Sequence, residues 1–243
     1  PVAHVEAGLR SFNRRMPEEV NRVLTDHVST WLFAPSKASA ELLAREGLTR
    51  GVHVVGDIMR DAVDEHLPRA RARAGVLDRL SLTPRRFVAA TIHRAENTDD
   101  RGRLASLVEA LGALDQPVVL PLHPRTAGRL SEFGIAVPAS VSVVDPLGYL
   151  DMLALLASAA CIATDSGGLQ KEAFYAGTPC VTLRTETEWT ETVAAGWNML
   201  CEPTPGALRA AVAHMTSPRP AAPSLYGDGR TAERITELLL SSF

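Results

Sequence analysis

The chain has 243 residues, 46% hydrophobic and 22% charged, with a formal net charge of −3. That length is one large domain or two small ones, and it can bury a sizeable core without disulfide or metal staples. The composition excludes a disordered chain, and the absence of a basic excess argues against a nucleic-acid partner.

In chain order, residues 2–5 read as a strand ending at Glu6. Pro17 opens a helix, because proline at the first position lacks only an N–H that would be unpaired anyway. Val20, Val23, Leu24, Val28 and Trp31 fall at helical spacing and carry that helix through Trp31. A strand at 32–34, a helix at 37–46 capped by Ser36, a strand at 52–55 and a helix at 57–67 follow. Residues 68–86 are rich in Arg and Ala with little strand signal and are expected to be a linker region. The pattern then restarts with a strand at 87–92, a helix at 101–114, a strand at 118–122, a further helix and a strand near 141–144. A helix at 150–160, a strand at 161–164, a helix at 169–176 stopped by Gly177, and a strand at 180–183 come next. Helices at 206–215 and 231–240 close the chain.

Strands alternating with helices predict an α/β fold with parallel sheets and doubly wound topology. In such sheets ligands sit beyond the carboxyl ends of the strands. Several expected strands end there in chemically capable residues: Glu6, His93, His123, Thr164-Asp165-Ser166 and Arg184. The strongest local signal is Ser166-Gly167-Gly168 between a strand and a helix, where backbone N–H groups point outward. The positive end of the helix adds about 0.3–1 kcal/mol for an anion. Glu172, about a turn and a half further on, is placed to accept both ribose hydroxyls of a nucleotide whose phosphate rests on the glycines. A plain βα turn with Ser166 as its cap accounts for the same residues equally well. His93 and His123 are either phosphate donors or acid/base groups, or simply turn caps. Glu18 and Arg22 share a helix face, which reads as a surface ion pair or, together with Glu6, as an acid/base apparatus. Trp189 and Trp197 read more readily as packing residues than as substrate platforms. The longest nearly apolar stretch, residues 152–163, is too short to span a bilayer, and no basic start leads into an apolar run. Cys161, Cys180 and Cys201 form no CxxC pair, so buried thiols in a reducing cytosol are expected. No metal-ligand spacing is found in the sequence, and no metal is expected.

Taken in order, the segments His4-Val5-Glu6-Ala7-Gly8-Leu9-Arg10-Ser11, Pro17-Glu18-Glu19-x-Asn21-Arg22, Thr91-x-His93-Arg94-x-Glu96-Asn97, Asp165-Ser166-Gly167-Gly168-x-Gln170-x-Glu172-Ala173 and Tyr226-Gly227-Asp228-Gly229 resemble the non-hydrolysing UDP-N-acetylglucosamine 2-epimerases. The resemblance covers essentially the whole chain in motif order. It implies a GT-B-like architecture of two Rossmann-like domains, the first lacking its N-terminal βα units. Residues 1–67 would be the back of the N-terminal domain, 68–86 the linker region, 87–224 the nucleotide-binding domain and 225–243 a helix returning to the N-terminal domain.

The activity it implies is conversion of UDP-N-acetylglucosamine to UDP-N-acetylmannosamine, for cell-surface polysaccharide precursors, without metal, redox chemistry or a cofactor. The implied route is elimination of UDP to a 2-acetamidoglucal and re-addition after C2 is reprotonated on the other face. Glu6, Glu18 and His93 match catalytic positions. Ser166, Gly167 and Gly168 match phosphate contacts, Glu172 the ribose contact, Arg22 a pyrophosphate or sugar contact, and Leu147 and Met152 the uracil side. Arg94 and His123 match positions used for an allosteric UDP-sugar. Where many members have Glu-Arg-Pro-Glu, this chain has Glu188-Trp189-Thr190-Glu191, which leaves open a diacetamido-uronic acid homologue. A UDP-binding module without activity of its own and a GT-B glycosyltransferase are the alternatives of other kinds. A cytoplasmic homodimer is implied, with a separate chain as one source of the missing first segment.

Overall fold

The computed structural model describes residues 1–14, 16–72 and 75–241. The expected linker includes positions 73 and 74, and the expected returning segment includes 242 and 243; these four lie outside the described residues. Two compact units form, one from residues 1–65 with 223–243 and the other from residues 66–222.

In the first unit, β1 (Ala3–Val5), β2 (Trp31–Ala34) and β3 (Val52–Val54) pair in that order, all parallel. They alternate with α1 (Pro17–Val28) and α2 (Lys37–Arg45), and α3 (Ile58–Ala72) follows β3, its residues from 66 on falling in the second unit. Ser36 caps α2 by accepting from the Ser39 N–H. The helix α12 (Thr231–Leu240) and the turn before it belong to this unit. The Asp57 N–H donates to the Tyr226 carbonyl at 3.0 Å, and Arg234 donates to the Val55 carbonyl at 3.1 Å.

The second unit contains α4 (Gly75–Arg79), β4 (Val88–Thr91), α5 (Ala95–Thr98), α6 (Arg101–Gly112), β5 (Val118–Pro121), α7 (Pro124–Phe133) and β6 (Val141–Val144). It continues with α8 (Tyr149–Ser158), β7 (Cys161–Thr164), α9 (Gly167–Ala176), β8 (Cys180–Thr182), α10 (Thr190–Ala194), β9 (Asn198–Leu200) and α11 (Pro205–Met215). Its six parallel strands run β6-β5-β4-β7-β8-β9, which is the Rossmann order with its reversal between β4 and β7. Both faces are covered, as a parallel sheet requires. Val88, Ala90 and Ile92 of the β4 segment face a core closed by α6 and α11, while Phe87 and Ala89 face one closed by α8 and α9. The period-2 alternation of strand side chains produces this split.

Several elements depart from the pattern read along the chain. α1 stops at Val28, and Trp31 belongs to β2, because the Trp31 N–H donates to the Val2 carbonyl and Trp31 pairs with Ala3. α3 runs through Pro68 to Ala72 and α4 follows from Gly75, so much of the stretch expected as linker is helical. α9 begins at Gly167, taking both glycines into its first turn. β9 and the short helix α5 carry too little periodicity to be read locally. The largest departure is in α1: Val20, Leu24 and Val28 are exposed, whereas Glu19 and Asp26 are buried.

Candidate active site

The reversal point of the six-stranded sheet lies between two neighbouring strand ends, His93 after β4 and Asp165-Ser166 after β7. The two strands are joined there by the Thr91 and Thr164 hydroxyls, 2.6 Å apart, and Thr164 Oγ1 also accepts from the Ser166 N–H at 3.0 Å. Ser166 caps α9 through its side chain, so Ser166, Gly167 and Gly168 open the helix with the outward N–H groups that an anion site requires. Asp165 is fully buried and holds the facing turn. Its carboxylate accepts from the His93 N–H at 3.1 Å, the Arg94 N–H at 3.0 Å and Asn97 Nδ2 at 3.0 Å.

His93 Nδ1 stands 3.3 Å from Asp165 Oδ1, which favours a proton on Nδ1 and presents Nε2 with its lone pair outward. Burial holds the His93 imidazole below its ordinary value. Asp165 works in the opposite direction, and His123, Arg94 and Arg125 add to the lowering. His93 is therefore neutral near pH 7, with its outward Nε2 as an acceptor. The exposed His123 ring is 5.4 Å away, and its Nδ1 accepts from the Arg125 N–H, capping α7.

Glu172 lies on α9, half-buried, and burial pushes its carboxyl up to about 6 against the opposing effect of Lys171. The Tyr149 hydroxyl at the start of α8 is raised by burial and then by the Glu172 charge. Leu147 and Met152, on the segment leading into and along α8, are partly buried against the core beneath α8 and α9. The loop after β8 carries Arg184, one of the expected strand-end residues, and Glu188. Glu188 accepts from Arg184 at 3.1 Å and lies 3.9 Å from Arg94, and both Glu188 and Arg184 are buried.

In the first unit, Glu6 follows β1 in a left-handed backbone conformation, φ +68°, that costs a non-glycine residue about 1–2 kcal/mol. Gly8, at φ +81°, approaches α2 so closely that a Cβ would collide with the Ser39 carbonyl oxygen. What holds this turn is Asp26, fully buried, accepting from His4 Nδ1 at 2.6 Å, Arg10 at 2.7 Å and the Gly8 N–H at 3.2 Å. Burial works to raise the Asp26 carboxyl, but the bonds from His4 and Arg10 outweigh it and hold it below the ordinary range. Arg10 also makes a two-point contact with Glu46, both bonds 2.7 Å. Glu19 is buried and accepts from the Ser11 N–H and hydroxyl, the Phe12 N–H and Arg22. Arg22 pairs with Glu19 at 2.9 Å, one residue on from the Glu18 of the i,i+4 spacing, and Glu18 is exposed. Spacing carried a signal for these buried acids. Glu19, Arg22 and Asp26 recur at intervals of three and four, a polar stripe beside the apolar one.

A Rossmann-order sheet with a Ser-Gly-Gly helix start and a half-buried carboxylate at its reversal point is the architecture of a nucleotide-binding α/β protein. Comparison with known proteins narrows the class. The family model for UDP-N-acetylglucosamine 2-epimerase matches residues 1–240. A UDP-2,3-diacetamido-2,3-dideoxy-D-glucuronate 2-epimerase of Pseudomonas aeruginosa is 46% identical, over 98% of this chain and 68% of that protein. A UDP-N-acetylglucosamine 2-epimerase of Methanocaldococcus jannaschii is 40% identical, again over 98% of this chain and 68% of that protein. A crystal structure of the Methanocaldococcus jannaschii enzyme in complex with UDP-GlcNAc and UDP matches with a TM-score of 0.91, over 99% of this chain and 69% of that one. The chain belongs to the UDP-N-acetylglucosamine 2-epimerase family, and its fold is of the GT-B type. No helix among the described residues is long and apolar enough to cross a membrane.

Proposed function

We propose that this chain catalyses epimerisation at C2 of a UDP-2-acetamido sugar, taking UDP-N-acetylglucosamine to UDP-N-acetylmannosamine. The observation that carries the reading is the Ser166–Gly168 helix start beside neutral His93 at the reversal of strand order. The 40%-identical relative whose structure holds UDP-GlcNAc and UDP supports it.

On this reading Ser166, Gly167 and Gly168 hold the diphosphate, and Glu172 accepts from the ribose hydroxyls. Leu147 and Met152 serve the uracil side, Arg94 and His123 an additional UDP-sugar. A base takes the C2 proton while the bond from C1 to the UDP oxygen breaks, giving a 2-acetamidoglucal and UDP. The C2–H is only weakly acidic, so departure of UDP must share in driving its removal. Positive charge and N–H donors must receive the charge that develops on the diphosphate. UDP then re-adds at C1 while a proton is delivered to the opposite face of C2, so no atom is gained or lost. Glu6 and Glu18 are the proton-transferring carboxylates. Strain in the Glu6 backbone supports a role beyond packing. Arg22 serves the departing diphosphate, and His93, whose outward Nε2 carries a lone pair, faces the sugar as an acceptor.

A second reading, the same chemistry on a UDP-diacetamido-glucuronate, is favoured by the 46%-identical relative of that name. A cytosolic homodimer is part of the proposal. Three buried thiols are consistent with the cytosol. Incubation with each UDP-sugar, followed by proton NMR of the anomeric signals, tests the proposal. Appearance of the manno epimer of UDP-N-acetylglucosamine supports the first reading, and turnover of the uronate alone supports the second. Binding of UDP with turnover of neither contradicts catalysis by this chain.

A further inference from the structure

Lys171 is one of two lysines among the 25 Lys and Arg residues of the chain, and it is 1% exposed. A buried ammonium is costly unless something replaces its water. Its Nζ stands 4.1 Å from the ring centroid of Trp189, itself 4% exposed, and a cation–π contact strengthens when it is desolvated. The preceding residue grips the same loop. Gln170 Oε1 accepts from Thr187 Oγ1 at 2.7 Å and Asn198 Nδ2 at 3.0 Å, and Gln170 Nε2 donates to the Ser166 carbonyl at 3.2 Å. Thr187 Oγ1 in turn accepts from the Trp189 N–H at 3.2 Å.

Two consecutive residues of α9 therefore fasten the loop of residues 184–189 to the helix whose start carries Ser166 and the two glycines. What the fastening brings to that start is specific. From the point a Cβ on Gly167 would occupy, Glu188 Oε1 is 3.4 Å away, Arg94 Nη2 3.5 Å and Trp189 Nε1 3.7 Å. Arg184 is tied to Glu188 from behind at 3.1 Å. The loop is thus a wall of the space in front of Gly167, where its own Arg184 and Arg94 from the turn after β4 stand about one carboxylate, Glu188.

We propose that Lys171 is a positioning residue for the diphosphate end of the nucleotide. Its contact with Trp189 holds the loop in register with the start of α9, so that Arg94, Arg184 and Glu188 border the anion site. This rests on the reading that the start of α9 takes the phosphates of UDP. Lys171 itself touches no substrate; it acts through Trp189.

The test compares UDP with uridine, which lacks the phosphates, by ligand-observed NMR on the full chain. Lys171→Met, which keeps length and removes charge, is expected to weaken UDP about tenfold, equal to about 1.4 kcal/mol, and to leave uridine within about twofold. Trp189→Leu should do the same and carries the test if Lys171→Met does not fold. Trp189→Phe, which keeps an aromatic face, should stay closer to the parent chain. Equal losses for UDP and uridine, or no loss for either, would overturn the proposal, since a purely structural role does not distinguish the two ligands. A parent chain that fails to bind UDP overturns the functional reading itself, and this inference with it.

Discussion

Replacing Glu172 with Gln should make the empty protein more stable and the nucleotide complex weaker. Burial raises the Glu172 carboxyl from 4.5 to about 6 in the native chain. Between those pH values the native chain keeps a proton that the unfolded chain has lost, so stability falls as pH rises through the window. Above pH 6 the full cost applies, and at about 1.36 kcal/mol per pH unit it comes to about 2 kcal/mol. Glu172→Gln removes the charge and keeps the shape. It should therefore stabilise the second unit by up to about 2 kcal/mol at pH 8 and by almost nothing at pH 4. Urea unfolding followed by tryptophan fluorescence reads this difference, because Trp189 and Trp197 both lie in that unit. UDP affinity should move the other way. Hydrogen bonds to a charged acceptor contribute about 1.5–3 kcal/mol, so the variant should bind UDP about 10- to 100-fold more weakly at pH 8. A variant less stable than the parent at pH 8, or one with unchanged UDP affinity, would refute the assignment of Glu172 as a carboxylate held ready for ribose.

Further consequences follow from other residues. Gly8→Ala forces a Cβ toward the Ser39 carbonyl in a left-handed backbone and should destabilise the first unit by at least about 2 kcal/mol in urea unfolding followed by circular dichroism; a loss under about 0.5 kcal/mol would show that the turn relaxes freely. Asp165→Asn removes the one neighbour that raises His93, so the His93 pKa, read by NMR titration of its ring protons, should fall further below 6.5. A rise would mean that the charge on Asp165 is not felt there. Cys161 is fully buried with its thiol pushed up to about 12, and Cys180 is also raised by burial. Both should resist a disulfide reagent in the native chain and react once it is unfolded in urea. Fast native labelling at either would contradict the packing around β7 and β8.

The parts of the fold that local sequence determines were legible. A Ser-Gly-Gly turn between a strand and a helix, Ser36 ahead of a helix and Gly177 after one each reflect chemistry within a few residues. The features that escaped depend on partners distant in sequence. Asp26 looks like one polar position on an apolar helix until His4, Gly8 and Arg10 are folded onto it. On α1 the buried carboxylates Glu19 and Asp26 occupy the inner face and leave Val20, Leu24 and Val28 outward. The helix expected to end at 67 instead runs through Pro68 to Ala72. The site shows the same division. His93, Ser166 and Glu172 stand at strand ends or helix positions that spacing identifies, whereas the hold of Asp165 on the His93 turn and the contact of Lys171 with Trp189 emerge only in three dimensions.

Deuterium exchange at C2 tests the proposed chemistry most directly. UDP-N-acetylglucosamine incubated with the chain in D2O should acquire deuterium at C2, seen by mass spectrometry and by loss of the C2 proton signal. Glu6→Gln should abolish that exchange while UDP binding persists. Exchange that survives Glu6→Gln would contradict the role of that carboxylate, and UDP binding without any exchange in the parent chain would contradict the epimerase chemistry proposed for it.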